Sequence, residues 1–169
     1  MARDAKEATI PHNIPPFYEK TSKILILGSF PSVKSREARF FYNHPQNRFW
    51  KVLAGIFGEP VPLDKPEKLS FLKRRRIALW DVVAACGISG SSDSSIKNVV
   101  PNDLGPILAA ASIRAIFTNG GTASRLYARY QGKTSGIEAV PLPSTSPANA
   151  AFSLEKLIEC WSVIRNHLE

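Results

Sequence analysis

The sequence has few of the residues that hold disulfide-rich domains or metal centres together. Only two of its 169 residues are cysteines, Cys86 and Cys160, and they lie far apart without a C-x-x-C spacing. This usage excludes a disulfide framework and gives no support to a zinc or iron–sulfur site. We therefore expect both cysteines to pack as reduced thiols and expect no bound metal.

Long hydrophobic runs are also missing. No uninterrupted apolar segment approaches the roughly 18 residues that a membrane-spanning helix needs. The first ten residues, MARDAKEATI, contain no apolar stretch of the kind found in a secretory signal. We therefore expect neither secretion nor membrane insertion, and predict a cytoplasmic protein that acts as a monomer.

Charge of one sign is in excess. Lysine and arginine number 22 against 14 acidic residues, a formal net charge of +8. A basic surface favours a polyanionic partner such as nucleic acid, because binding to phosphates releases counterions. The alternative is that the charge only keeps the protein soluble. Composition alone does not distinguish nucleic-acid binding from a solubility effect, so the sequence motifs are needed.

The domain organisation is simple. A hydrophobic content of 44% is enough to build one core in a chain of this length. Residues 1–22 include Pro11, Pro15 and Pro16 and show no periodicity, so they predict an extended N-terminal arm. Residues 23–169 are predicted to form a single domain.

Four apolar segments predict strands of a parallel sheet. Residues 24–27 are uniformly apolar and stop at Gly28, as expected for a strand buried on both faces. The other candidates are 77–83, 115–118 and 139–142, and Pro141 predicts an edge position or a strand end for the last.

Helical patterns alternate with these strands. The predicted helices cover 48–57, a segment opened by Asp64 and Pro66 and ended by the basic run 73–76, segments capped by Asn102 and Thr122, and a segment starting at Ser153. We interpret the basic run as a solvated helix end rather than a DNA contact. The alternation predicts a three-layer α/β/α fold with a four-stranded parallel sheet. Ligands bind at the carboxyl ends of the strands in such folds.

The loops at those ends carry recognisable motifs. The first strand is followed by G-S-F-P-S (28–32) and then by H-P-Q-N-R-F-W (44–50), and the fourth strand by S-T-S-P-A-N (144–149). Together they resemble the two active-site motifs of the uracil-DNA glycosylase superfamily, most closely its hypoxanthine-DNA (deoxyinosine) glycosylase branch. The similarity extends from about Pro15 to Trp161. It implies a uracil-DNA glycosylase-like fold and removal of a deaminated base from DNA.

The resemblance implies an unusual catalytic residue. Superfamily members with an acid or amide in the first motif place it directly before the motif proline, where this chain has Phe30. The hypoxanthine branch implies an asparagine in the H-P-x-N segment, which is Asn47. An amide can orient water through its oxygen and hold the leaving base through its nitrogen. The alternative interpretation of Asn47 is a helix N-cap.

The resemblance also implies residues that bind the extruded base. Tyr42 is expected to stack on it, although it also fits a core aromatic. The backbone N–H groups of Ser29 and Phe30 can face a base carbonyl or the water. Asp81 is expected to accept from the N1–H of hypoxanthine, or else to cap the turn over 82–87. The Asn119-Gly120 pair predicts a turn rather than a functional role for Asn119.

Further residues are expected to contact DNA. Ser144 and Ser146 fit hydroxyl donors to the DNA backbone, Ser32 fits a phosphate contact, and Pro147 and Asn149 are expected in the minor groove. Other branches of the family have histidine or asparagine where Ser144 stands. With serine at this position, the chain lacks a strong electrophile for the leaving base.

The leading hypothesis is a monofunctional DNA glycosylase that acts on hypoxanthine, and secondarily on uracil or xanthine, without a cofactor. A uracil-preferring enzyme is an alternative within the same fold. A non-catalytic nucleic-acid-binding module is a second, since the first-motif acid is missing. A small-molecule α/β enzyme would require a cofactor fingerprint, and G-S-F-P-S lacks the G-x-G-x-x-G pattern.

The net charge leads to a testable prediction. Binding to undamaged duplex DNA should weaken at least about tenfold between roughly 50 and 200 mM salt, because the contacts address phosphates. Fluorescence anisotropy with a labelled duplex measures the slope. Binding that does not change with salt would leave the positive charge as a solubility feature.

Overall fold

The computed structural model describes residues 9–87 and 96–168. Its strands, in chain order, are β1 (Thr9–Pro11), β2 (Ile24–Gly28), β3 (Ile77–Asp81), β4 (Val83–Gly87), β5 (Lys97–Pro101), β6 (Ala115–Asn119) and β7 (Ala139–Leu142). Its helices are α1 (Val33–Ala38), α2 (Phe49–Phe57), α3 (Lys65–Arg75), α4 (Gly105–Ala110), α5 (Gly121–Tyr130), α6 (Gly132–Ser135) and α7 (Leu154–Trp161). A 3-10 helix, Ser162–His167, directly follows α7.

Four of the strands form the predicted parallel sheet. Its order is β3-β2-β6-β7, and each neighbouring pair is parallel. The register places Gly28 opposite Asp81 and Asn119 opposite Leu142, so the strands end at a common edge. The edge position expected for the strand containing Pro141 is confirmed by the place of β7 in this order.

The prediction of one strand over 77–83 was wrong. The chain bends at Val82, whose N–H donates to the Gly28 carbonyl (2.8 Å), and β4 then joins a second sheet. In that antiparallel sheet β4 lies between β1 and β5. The apolar run continues across the bend because both strands are buried, so hydrophobicity alone does not mark the boundary.

Side chains from β2 and its neighbours alternate between two hydrophobic cores. On one face Ile24, Ile26 and Phe117 pack with helical residues that include Phe49 and Trp161. On the other face lie Leu25, Leu27, Ile116, Ile107 and Tyr127. Apolar packing on both faces is what a parallel sheet requires, and the predicted three-layer α/β/α fold is confirmed.

The predicted helix boundaries are partly confirmed. Asp64 caps α3 by accepting from the Glu67 N–H (2.9 Å), and Ser153 caps α7 by accepting from the Lys156 N–H (3.1 Å). Gly58 ends α2 in the left-handed conformation, although that helix begins at Phe49 rather than at residue 48.

The two other predicted caps were wrong. Gly120 precedes α5, so Thr122 lies inside its first turn. The helix predicted to follow Asn102 begins only at Gly105, because the Asn102 side chain is used elsewhere. Its Nδ2 donates to the carbonyls of Asp81 (2.9 Å) and Val83 (3.2 Å), which stabilises the bend between the two sheets.

Residues 9–17 lie against both sheets. β1 pairs with β4, and the Phe17 N–H donates to the Leu79 carbonyl (3.0 Å). Ile14 is buried in the first core. Residues 9–17 therefore pack along β4 and beside the middle of β3. Within residues 9–87 and 96–168, no helix has the length and hydrophobicity needed to cross a membrane.

Two arginines of the basic run at the end of α3 form ion pairs with Glu59, which follows α2. Glu59 accepts from Arg74 (2.7 Å) and Arg75 (2.6 Å). Partial burial raises the pKa of the Glu59 carboxyl, but hydrogen bonds from the two arginines outweigh it and hold the pKa below its usual value. These arginines are absent from the cavity lining described below, which fits their interpretation as a helix end.

The lowered pKa of Glu59 leads to a pH-dependent prediction. Glu59→Gln should lower the free energy of unfolding at pH 7, because it removes the charge that pairs with both arginines. The loss should be only about 0.5 kcal/mol, since both arginines are partly exposed to solvent. The loss should disappear as the pH falls through the lowered pKa, where the native carboxyl is protonated too. Urea titrations at several pH values measure this. Glu138→Gln, at an exposed position, is the control, and an equal loss in both variants would contradict the prediction.

Candidate active site

A cavity of about 810 Å³ opens at the carboxyl ends of the four parallel strands. This volume is within the range of small-molecule sites, and the position is where α/β sheets bind ligands. The lining comes from the last residues of β2, β3 and β6 and from the segments that follow β2, β6 and β7. It comprises Gly28, Ser29, Phe30, Pro31, Ser32, Ser35, Phe41, Tyr42, His44, Asn47, Asp81, Asn119, Gly121, Thr122, Ser144, Thr145, Ser146, Pro147, Ala148 and Asn149.

All ten residues predicted from the motifs lie in this lining. They are Asn47, Tyr42, Ser29, Phe30, Asp81, Ser32, Ser144, Ser146, Pro147 and Asn149. Segments more than a hundred residues apart in the chain are thereby brought to one cavity. The hydrogen bonds of each residue limit which of its atoms can contact a ligand.

The side-chain oxygen of Asn47 is fully used within the protein. Oδ1 accepts from the Phe49 N–H at the start of α2 (3.0 Å) and from the Thr145 hydroxyl (2.9 Å). A carbonyl oxygen has two lone pairs, so these bonds occupy it. The capping interaction weighed for Asn47 is therefore present, with Arg48 as the formal cap residue. The group that Asn47 can offer to the cavity is the Nδ2 donor.

A buried threonine holds Asn47 in this orientation. Thr145 is fully buried, and its N–H donates to Asn119 Oδ1 (3.0 Å). Asn119 Nδ2 donates in return to Thr145 Oγ1 (3.0 Å), which leaves the hydroxyl hydrogen for Asn47. Sequence reasoning assigned no role to Thr145 and interpreted Asn119 as a turn residue. The available signal was the position of Asn119 at a strand end.

Arg48 joins the two motif loops. Its N–H donates to the Thr145 carbonyl (3.1 Å), and its guanidinium donates to the carbonyls of Ser146 (3.2 Å), Asn149 (2.9 Å) and Phe152. An arginine that donates to several carbonyls fixes a loop without a partner of opposite charge. The arginine of H-P-Q-N-R-F-W thus orders S-T-S-P-A-N.

Tyr42 has an unusual backbone. Its φ is +52°, in the left-handed region that side chains other than glycine rarely adopt. Arg39 and Arg76, which share this feature, end helices, whereas Tyr42 lies in a loop. Its ring stacks on Phe49 with centroids 3.9 Å apart. One face therefore packs on the core while the residue also lines the cavity, which combines the two interpretations offered for Tyr42.

Asp81 is buried at the cavity wall and has a partner that the sequence did not indicate. Its Oδ2 lies 2.7 Å from His12 Nε2. The expected capping of a turn over 82–87 by Asp81 is not seen among the described residues, where 83–87 form β4 and the carboxylate binds His12 instead. A β-carbon on Gly28 would lie 2.3 Å from Asp81 Oδ1 and 3.0 Å from the Tyr42 hydroxyl, so only glycine leaves room for both groups. Beside it, the Ser29 carbonyl accepts from the Val83 N–H (3.1 Å).

The serines form local turns. Ser32 caps α1 by accepting from the Ser35 N–H (3.2 Å) and donates to the Ser35 hydroxyl (3.1 Å). Ser144 and Ser146 each accept from the N–H two residues later, at 3.1 and 3.2 Å. Those bonds leave the hydroxyl hydrogens of Ser144 and Ser146 for an external acceptor. Asn149 Nδ2 closes the loop by donating to the Ser144 carbonyl (2.9 Å).

The buried hydrogen-bond network predicts that substitution by valine destabilises the protein at Thr145 but not at Thr118. Thr145→Val should lower the free energy of unfolding by about 1–3 kcal/mol, because it removes the hydroxyl that accepts from the buried Asn119 Nδ2 and donates to Asn47 Oδ1. Thr118→Val should be neutral or stabilising, because the equally buried Thr118 hydroxyl has no hydrogen-bond partner among the described residues. Urea denaturation measures both, and similar losses would argue against the network.

Comparison with known proteins places these features in a family. A family model described as the uracil DNA glycosylase superfamily matches residues 15–165. A relative from Methanosarcina acetivorans named hypoxanthine DNA glycosylase is 34% identical over 160 residues, which cover 94% of this chain and 99% of the relative. One of the same name from Methanosarcina barkeri is 35% identical over 108 residues, covering 63% and 68%.

A solved structure agrees with this assignment. The solution NMR structure of a putative uracil DNA glycosylase from Methanosarcina acetivorans superposes with a TM-score of 0.80 at 34% identity, and covers 95% of this chain and 99% of that one. The match extends over both motif loops and the sheet that positions them. The chain belongs to the uracil-DNA glycosylase superfamily.

Proposed function

We propose that this chain is a monofunctional DNA glycosylase that hydrolyses the N-glycosidic bond of hypoxanthine in DNA during base excision repair. One observation carries the proposal: a single cavity is lined by an amide donor, Asn47 of the H-P-Q-N-R-F-W motif, and by a carboxylate acceptor, Asp81 at the end of β3. The names of the two Methanosarcina relatives support the same substrate. The proposal includes a cytoplasmic monomer with one domain, 23–169, preceded by the arm 1–22.

The reaction needs a donor for the leaving base. Water adds to the sugar C1′ and gives up a proton to solvent while the bond to the base breaks. The electron pair of that bond moves onto the base, which takes up a proton from solvent as it leaves. The negative charge that develops there is stabilised by donors already aimed at it. Asn47 Nδ2 is such a donor, because Oδ1 is held by Thr145 and by the start of α2. Backbone N–H groups at Ser29 and Phe30 are proposed to orient the water.

The base is proposed to enter by flipping out of the duplex. Tyr42 then stacks on it with the ring face opposite Phe49, a contact worth about 1–3 kcal/mol per base. Ser144, Ser146 and Ser32 are proposed to contact phosphates near the flipped nucleotide. Pro147 and Asn149 would occupy the gap in the minor groove.

Asp81 is proposed to select the base. Its Oδ1 accepts the N1–H of hypoxanthine, whereas adenine has a lone pair at N1 and would leave the buried carboxylate unpaired. A missing hydrogen bond of this kind is costly in a buried site. The same carboxylate therefore serves recognition of the deaminated base and rejection of the normal one.

A uracil-preferring enzyme is the second candidate. The solved relative is titled a putative uracil DNA glycosylase, and the N3–H of uracil can also donate to Asp81. Serine at position 144 argues for the purine, because a hydroxyl stabilises a leaving uracil less than the histidine implied for other branches. Hypoxanthine also unstacks easily, since its pair is weaker than the normal pair.

Single-turnover cleavage of matched duplexes tests the proposal. Otherwise identical oligonucleotides carry hypoxanthine, xanthine, uracil or adenine, and alkali cuts the abasic product. Hypoxanthine should be released fastest and adenine not detectably. Faster release of uracil would assign the second candidate, and release of none of them would leave a nucleic-acid-binding module.

Two substitutions at Asn47 separate its roles. Asn47→Asp keeps the acceptor for Phe49 and Thr145 but loses the Nδ2 donor, so hypoxanthine release should fall about a hundredfold with the fold retained. Asn47→Ala should be equally slow and also less stable by about 1 kcal/mol. Single-turnover rates and urea titrations measure these effects. An aspartate variant as fast as the wild type would show that the donor is not used.

A further inference from the structure

A histidine from the N-terminal arm is buried beside the acid of the cavity. The His12 N–H donates to the Ala84 carbonyl (2.7 Å), which fixes its backbone to β4. The side chains of His12 and Asp81 are only 3% and 6% exposed, and their contact joins residues 69 apart in the chain. Two polar side chains are thus buried together directly at the substrate cavity.

The surrounding bonds fix which ring nitrogen carries hydrogen. The Ile14 N–H donates to His12 Nδ1 (3.2 Å), so Nδ1 must present its lone pair. The hydrogen of the ring is therefore on Nε2, and His12 donates to Asp81 Oδ2. The ring is held edge-on by Phe30 and Trp80, with centroids 6.0 and 6.2 Å away.

This bond leaves one oxygen of Asp81 for the substrate. Oδ2 is engaged by His12, whereas Oδ1 lies over Gly28, which has no side chain to cover it. Asp81 is among the residues that line the cavity. The carboxylate thus has Oδ2 bonded to His12 and Oδ1 beside Gly28, which also lines the cavity.

We propose that His12 is a positioning residue for base selection: its donation to Oδ2 aims Asp81 Oδ1 at a ring N–H of the substrate. This inference rests on the proposed function, because it takes Asp81 as the reader of the base edge. The N-terminal arm is then part of the substrate site. The chemistry that it selects is an N–H beside a ring carbonyl, which hypoxanthine has and unsubstituted purine lacks.

The test compares three substitutions at one position. His12→Gln places an amide N–H near the original Nε2 and keeps the donor to Asp81. His12→Asn is equally polar but too short to reach, and His12→Phe keeps the aromatic packing on Phe30 without a donor. Single-turnover rates are measured on duplexes with hypoxanthine or unsubstituted purine, and urea titrations follow the fold.

The selectivity ratio between the two bases is the readout. His12→Asn and His12→Phe should each lower the ratio of hypoxanthine to purine release about tenfold, mainly through slower hypoxanthine release. His12→Gln should keep the ratio within about threefold of the wild type. A purely structural role would reduce both rates together, so an unchanged ratio in all folded variants overturns the proposal.

Asp81→Asn separates failure of this inference from failure of the proposed function. If Asp81→Asn lowers the ratio and the variants at His12 do not, Asp81 reads the base without help and His12 has no positioning role. If Asp81→Asn also leaves the ratio unchanged, the base-reading part of the proposed function is wrong. Should His12→Phe fail to fold, the pair of amide variants decides, because loss of selectivity in His12→Gln equal to that in His12→Asn contradicts a donor role.

Discussion

The candidate site depends on one hydrogen-bond chain that runs from Asn119 through Thr145 to Asn47. Its members come from three separate loops, at the end of β6, after β7 and before α2. The bonds between Asn119 and Thr145 are buried, which strengthens them, whereas the bond from Thr145 to Asn47 is partly buried at the cavity. The chain therefore fixes the relative position of the loops and decides which atom of Asn47 faces the cavity.

The sheet supplies the frame on which this chain is built. Parallel strands that end together bring their following loops to one edge, and packing on both faces keeps that edge in place. Arg48 adds a second tie between the same loops through backbone carbonyls. A site made of loop residues gains the rigidity that a donor aimed at a leaving group requires.

Sequence patterns predicted the parallel sheet and the site residues because both leave local signals. Apolar runs such as 24–27 mark buried strands, and G-S-F-P-S, H-P-Q-N-R-F-W and S-T-S-P-A-N are specific to a family when they occur together. The second sheet left no such signal, since β1 has only three residues and pairs with a strand far away in the chain. His12 and Thr145 were missed because their roles depend on contacts 69 and 98 residues away.

His12 precedes the region that the family model matches, which begins at residue 15, and it is held beside Asp81 by its backbone bond to β4. A boundary drawn from that match would remove the donor to Asp81 while keeping every motif residue. Such a shortened protein would still contain the recognised sequence signature, yet its acid would lose the neighbour that orients it. A boundary at residue 15 is therefore narrower than the set of residues in contact around Asp81, and the relative that covers 94% of this chain extends beyond it.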